Sequence, residues 1–599
     1  MRRGLGVVAR SARTEETSVR LCDYRLLWLA PEALGGSVYF VAMPLPILLA
    51  LAMLIPAQPQ VAGPAASQDV VVPTPLAAST YDARDDVFYH FMPIAWRHGE
   101  DPSAPADSVQ RTARFGNFRG MIDSLPYLAE LGVTGVWINP IFPSPAYHGY
   151  QHGRADRVNP WFGTEAEFMR FIGAAHGLGI KVYLDLVCYG ISHDSPWFDD
   201  AFKNPASPST PMLAFTDAAN SKYVGYTFRT WTGAPVGFVN WDLRNAAARA
   251  LVIGWSTRWL DPNGDGDPSD GVDGYRLDHV WRVYDPRGQK VEGALGYTID
   301  GFWKEWRAAL EKVNPAVFTF AEQAAWESFG ANLTVTSDGG MAHDAAFSKP
   351  FEFAARDALK TETAAGLYEW MGKTLDAIPP GRTTLAILGD HDVDRLASAI
   401  GADEAGKAGR AMAAAAVLLL QPLPPVLYYG DELGMLGTAG KFGSDANDIP
   451  RREPMPWTEA RDGATTEYMR LNAGAWKGRT SRPGDGLSVE AQSGRAGSLL
   501  ETYRSLITLR RKHPALRRGT YAPVAVDSPA VWCFDRRSAE ESLRVYINLS
   551  GVPVRVTATG GADEVDGANG LKGEGPVEVE AYGWKIGPAP GVQPGGEER

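Results

Sequence analysis

Residues 271–278 read GVDGYRLD, a short apolar run led by glycine that closes on an acid, Asp278, with Arg276 two places before it on the same strand face. Seven further short apolar runs occur: VFYHFMP (87–93), GVTGVWINP (132–140), KVYLDLV (181–187), VFTFAE (317–322), HDAAF (343–347), TLAILGDHD (384–392) and PVLYYGDE (425–432). Amphipathic stretches intervene. Met121, Leu125, Leu128 and Leu131 recur at three- and four-residue spacing, as do Phe168, Phe171, Ile172, Ala175 and Leu178. Thr164 to Glu167 opens the second stretch with a capping-box pattern. Eight strand-then-helix units predict an α/β fold, a (β/α)8 TIM barrel, although periodicity alone leaves an open sheet possible.

Two departures from alternation mark further units. The Pro-, Ser-, Asn- and Thr-rich stretch after the third run is too long for a simple connection and predicts an inserted subdomain over about 190–245, flanking the active face. After the helical segment ETYRSLITLRRKHPAL (501–516), short alternating runs with Gly-rich turns predict a C-terminal antiparallel β domain over 517–590. Residues 80–516 then form the barrel, and the tail 591–599 reads as disordered.

At the amino end no charged residue occurs between Glu32 and Asp69, and Ile47 to Ile55 has the length of a signal h-region. Residues 1–68 are therefore expected to be a signal peptide or leader of a secreted or periplasmic protein; a membrane enters only if this segment stays uncleaved. The chain of 599 residues is 45% hydrophobic and 21% charged, which excludes both disorder and a multi-span membrane protein. A formal charge of -12 repels polyanions, so no nucleic-acid partner is expected. Cys22, Cys188 and Cys533 show no metal or redox spacing.

Four of the predicted strands end in acids: Asp185, Asp278, Glu322 and Asp392. Functional groups of such barrels sit at strand carboxyl ends, and cleavage of an acetal needs one carboxylate as nucleophile or base and one carboxyl as acid. Acids in such loops also serve as caps or lie solvated, but Arg276 and His391 at the same strand ends favour a site.

The segments GYRLD (274–278), FTFAE (318–322), GDHDVDR (389–395) and LYYGDELGM (427–435) resemble, in order, the signature regions of the α-amylase family of glycoside hydrolases. The resemblance implies a hydrolase with Asp278 as nucleophile, Glu322 as general acid and base, and Asp392 binding sugar hydroxyls. It further implies that Arg276 keeps Asp278 ionised, that His391 hydrogen-bonds the same sugar, and that His148 and Tyr150 in SPAYHGYQHG line the cleavage subsite. Asp185 is expected to support the Arg276 and sugar network. The implied substrate is a starch-type polysaccharide or malto-oligosaccharide cleaved with retention; an α-glucosidase or transglycosylase of the same family is the alternative, and a non-catalytic membrane-anchored subunit a remote one. The chain departs from the family where DLVCYG (185–190) puts Tyr189 and Gly190 in place of Asn and His, and where Trp281 and Arg282 replace Lys and His. Separately, Asp261, Asn263, Asp265 and Asp267 alternate around Gly266, spacing that wraps oxygen ligands around Ca2+; an acid-capped glycine turn is the plainer reading.

Overall fold

The structure, a computed structural model, describes residues 81–100, 105, 107–280, 299–322, 343–558 and 576–589. The leader, the tail, Trp281 and Arg282 lie outside these residues. Strands are numbered along the chain. All eight expected barrel strands form: β1 (Phe88–Phe91), β2 (Gly135–Ile138), β3 (Lys181–Leu186), β7 (Gly274–Leu277), β8 (Phe318–Ala321), β9 (Ala345–Phe347), β10 (Thr383–Ile387) and β11 (Pro425–Tyr428). They pair in parallel as a closed ring in the order β1-β11-β10-β9-β8-β7-β3-β2, which removes the open-sheet alternative. Between β3 and β7, β4 (Gly190–Ser192), β5 (Gly225–Arg229) and β6 (Pro235–Asn240) form the inserted antiparallel sheet, ordered β4-β6-β5. No helix among the described residues is long and apolar enough to cross a membrane.

The helices obey local sequence rules. In α1 (Phe118–Leu131), Met121, Leu125, Leu128 and Leu131 are buried, and the Asn117 side chain caps the first turn through Gly120 N–H. Gly132, at φ +91°, ends the helix in the left-handed conformation that glycine adopts without steric cost. In α2 (Glu165–Gly177) both halves of the Thr164 and Glu167 capping box are made. Leu178, expected in its apolar stripe, instead follows the last helical residue and is 49% exposed, because its own N–H already closes the final turn onto Ala175 and His176.

The C-terminal β domain has a four-stranded antiparallel sheet of β12 (Thr520–Pro523), β13 (Val531–Arg537), β14 (Ser542–Asn548) and β17 (Trp584–Pro588). The pair β15 (Val554–Val556) and β16 (Val577–Val579) completes it. Arg536 of β13 ties it to the end of the barrel, donating to the carbonyls of Leu516, Gly519 and Thr520, while Arg510 fixes the last barrel helix by donating to those of Leu419, Gln421 and Leu423. These carbonyls end helices and turns, so the guanidinium groups satisfy acceptors that water no longer reaches.

An aromatic plug of Phe88, Trp137, Tyr183, Phe318, Phe320 and Phe347 fills the barrel interior. Because strand side chains alternate, the layer of inward residues two positions further along β3 and β8 is Asp185 and Glu322, with Arg276 beside them on β7. The functional layer thus rests on an apolar floor. Glycine makes room for that floor at β7: a Cβ on Gly274 would lie 1.8 Å from the Phe318 carbonyl oxygen. Gly274→Ala is expected to destabilise the protein by about 2–3 kcal/mol through forced separation of β7 from β8. Denaturant unfolding measures this, and an unchanged midpoint would refute the close packing at this position.

Candidate active site

Arg276 sits buried at the centre of the strand-end layer. Its Nη1 donates to Asp278 Oδ1 at 2.8 Å and to Asp185 Oδ1 and Oδ2 at 2.9 and 3.0 Å, and Nη2 lies 2.8 Å from Glu322 Oε2. Three carboxylates from three adjacent strands therefore share one guanidinium. The cation also lies over the faces of Trp137 and Tyr150, at 5.1 and 5.8 Å from the ring centroids, which fixes its plane. Asp185 is held further by Trp137 Nε1 at 2.9 Å and by the Tyr150 hydroxyl at 2.7 Å. Asn139 Nδ2 donates to that hydroxyl, and its Oδ1 is 2.6 Å from His90 Nε2.

The charge balance of this layer follows from counting. With all three carboxylates ionised and one guanidinium, the buried group is negative overall, and ionisation away from water is costly. Burial pushes Asp278 up to about 7, against the opposing pull of His279 and then Arg276. Burial likewise raises Asp185, to about 6, although Arg276, Tyr150 and Trp137 all favour its charged form. Glu322 goes the other way: burial would raise it, but Arg276 and His279 together hold it below the usual range. Arg276 thus touches Asp278 and favours its charged form, as expected from the sequence, while burial acts in the opposite direction.

Of the remaining residues singled out in the sequence, His391 is buried and stacks on Tyr150, rings 5.2 Å apart and 10° from parallel. Burial drives its imidazole well below its ordinary range, so it is neutral, with Nε2 3.3 Å from Asp392 Oδ2. His148 lies at the rim with Nε2 3.5 Å from Asp445 Oδ2. Asp392 remains partly exposed and is held at Oδ1 by Arg452 Nη2, 3.0 Å away. Arg452, which sequence reasoning missed, also donates from Nε to the His391 carbonyl at 2.7 Å and from Nη1 to the Tyr147 hydroxyl at 2.9 Å. Asp390, also missed, pairs with buried Lys349 and accepts from Asp392 N–H at 2.8 Å, orienting the strand end. Its signal was present in the DHD triplet but reads as a loop acid until Lys349 is placed beside it.

The loop at 261–270 lies in the connection ahead of β7. Asp261 accepts from Gly264 and Gly266 N–H at 2.8 and 2.9 Å, Asp265 accepts from Asp267 N–H, and Asp267 from Ser269 N–H, which is the geometry of an acid-capped turn. Among the described residues, the places where ligand atoms of three acids or histidines converge within 4.8 Å are at Asp278 and at Asp390, not in this loop. Burial first, and then the charges of Asp265, Asp261 and Asp267, raise the proton affinity of Asp270, whose Oδ1 has no hydrogen-bond partner among the described residues. Asp261, Asn263, Asp265 and Asp267, with Asp270, supply the hard oxygen donors that calcium takes.

A closed barrel carrying a buried carboxylate pair at adjacent strand ends, both members held by the strand-end arginine, defines a (β/α)8 glycoside hydrolase. A family model described as "Alpha amylase, catalytic domain" matches residues 102–519, and the chain belongs to the alpha-amylase family. It is 25% identical over 453 residues to "Alpha-amylase 3" of Dictyoglomus thermophilum, covering 73% of this chain and 82% of that protein. It is 28% identical over 497 residues to "Trehalose synthase/amylase TreS" of Mycobacterium tuberculosis, covering 73% and 79%. The crystal structure of alpha-amylase from H.orenii superposes with a TM-score of 0.65 at 24% identity, over 84% of this chain and 98% of that one, a likeness of fold.

Proposed function

We propose that this chain is an exported, retaining α-glucosidic enzyme acting on malto-oligosaccharides or starch-type chains through a glycosyl-Asp278 intermediate. One observation carries the reading: Asp278 and Glu322, at adjacent strand ends, both bind the Arg276 guanidinium at 2.8 Å, which holds the two carboxyl groups close together. Retaining enzymes hold their carboxyl groups about 5–5.5 Å apart, whereas inverting ones leave about 6.5–9.5 Å for a water. In the first step an Asp278 carboxylate oxygen bonds to the anomeric carbon, the glycosidic C–O bond breaks, and the departing oxygen takes the Glu322 proton. In the second, Glu322 takes a proton from water or a sugar hydroxyl, whose oxygen displaces Asp278. Burial raises Asp278 while Arg276 and His279 lower Glu322, and the two carboxyls, joined through Arg276, titrate as a pair; the covalent step requires Asp278 charged and Glu322 protonated with sugar bound.

A second reading has its own support. Several similar proteins, including those of Mycobacterium tuberculosis and Thermus thermophilus, are named trehalose synthase, at 28% identity. In that case a sugar hydroxyl replaces water in the second step and the same intermediate forms. Incubation with maltose separates the two readings by whether glucose or a new disaccharide accumulates.

Asp278→Asn is expected to lower turnover of maltotriose or maltose by at least about 10³-fold with the fold retained. Near-wild-type turnover by a correctly folded variant would remove Asp278 from the nucleophile role. Calcium in the 261–270 loop belongs to the same proposal: chelation is expected to lower the melting temperature by a few degrees, and added Ca2+ to restore it. An unchanged melting temperature on chelation would leave the acid-capped turn as the whole explanation.

A further inference from the structure

His279 follows Asp278 directly and was given no role by the sequence. Its backbone is held at φ +49°, a left-handed conformation that a non-glycine residue adopts only where its surroundings impose it. Its N–H donates to Glu322 Oε2 at 3.2 Å, and its ring Nε2 lies 3.9 Å from the same oxygen. The ring stacks on Tyr189, centroids 5.5 Å apart and 9° from parallel. Tyr189 in turn directs its hydroxyl to Asp278 Oδ2 at 3.5 Å. One ligating atom each of Asp278, His279 and Glu322 fall within 4.8 Å of one another, so the imidazole stands beside both carboxyl groups of the pair.

We propose that His279 is a positioning residue which, as an imidazolium stacked on Tyr189, supplies the carboxyl pair with a second cation. Arg276 alone serves three acids, and His279 adds a charge on the side of the pair that Asp185 does not share. The inference rests on the roles proposed for Asp278 and Glu322. The groups facing the imidazole are Asp278 and Arg276 of the β7 end, Glu322 after β8, Asp392 after β10 and Tyr189 after β3. Partial burial works against its charge, but Asp278 and Glu322 outweigh that cost and raise it above the ordinary histidine range. Reciprocally, among the charges acting on Asp278, His279 opposes burial ahead of Arg276. The Tyr189 and His279 stack thus occupies the place where this chain departs from the family's pattern after β3.

The sign of the effect is fixed. An imidazolium favours the deprotonated form of a neighbouring carboxyl, so its removal raises the proton affinity of both acids. The acid limb of the kcat/KM profile, set by ionisation of the pair's nucleophile, and the alkaline limb, set by loss of its acid proton, both move to higher pH. For His279→Gln the expected displacement is about one pH unit, or about a tenfold loss of kcat/KM on the wild-type acid limb. His279→Lys, which restores a cation, is expected to bring the limbs back towards wild type. Limbs left in place by both His279→Gln and His279→Ala would overturn the inference. Because these variants are of use only if folded, histidine C2–H exchange read by mass spectrometry on the unaltered protein gives a second test. A titration of His279 above about 6.5 is expected, and one below it would overturn the proposal. Asp278→Asn separates the two levels: if it is inactive while the His279 limbs do not move, only this inference fails; if it remains active, the nucleophile assignment fails first.

Discussion

One guanidinium, that of Arg276, joins acids from β3, β7 and β8 within hydrogen-bond distance, and the active layer exists only because the barrel brings those strands into register. Cα partners Asp185 and Arg276 face one another across β3 and β7, and Arg276 and Phe320 across β7 and β8. A slip of one residue in either pairing would turn these side chains out of the barrel and bury three acids or one arginine without partners. The aromatic plug beneath serves the same constraint. It excludes water from below, so each charge above it interacts in a low-dielectric setting and small displacements carry large energetic consequences.

That setting separates the two central acids. Identical carboxyl chemistry is pushed upward at Asp278 by burial and held down at Glu322 by the guanidinium, leaving one proton for the pair near neutral pH. An enzyme that breaks and remakes a bond at one carbon needs one carboxyl charged and one protonated, and when Asp278 attacks, the pair's proton has to sit on Glu322. Asp392 stands apart from the shared cation, tied to Arg452 and partly open to solvent, as suits a group that meets sugar hydroxyls.

Much of this was legible in the chain. Short apolar runs are local signals, and the eight of them located every barrel strand, while the four that end in acids gave Asp185, Asp278, Glu322 and Asp392. The contact of Arg276 with Asp278 follows from period-two alternation within one strand. What stayed hidden depends on distant partners. Arg452 reaches Asp392 and Tyr147 from an irregular segment after β11 in which no periodicity points to a destination. That Arg276 also serves Asp185 and Glu322 was not legible either, because sequence shows one arginine beside one aspartate, not a cation divided among three buried acids. His279 was passed over for a similar reason: its left-handed turn and its stack on Tyr189, ninety positions away, exist only in the folded chain.

The central claim is that Asp278 and Glu322 act at covalent distance, one as nucleophile and the other as acid. It is tested most directly by following the first product formed from a maltooligosaccharide by proton NMR, before mutarotation scrambles the anomeric centre. The geometry predicts that the α configuration is retained. Initial release of the β anomer would show that water, not Asp278, attacks the sugar, and would contradict the account.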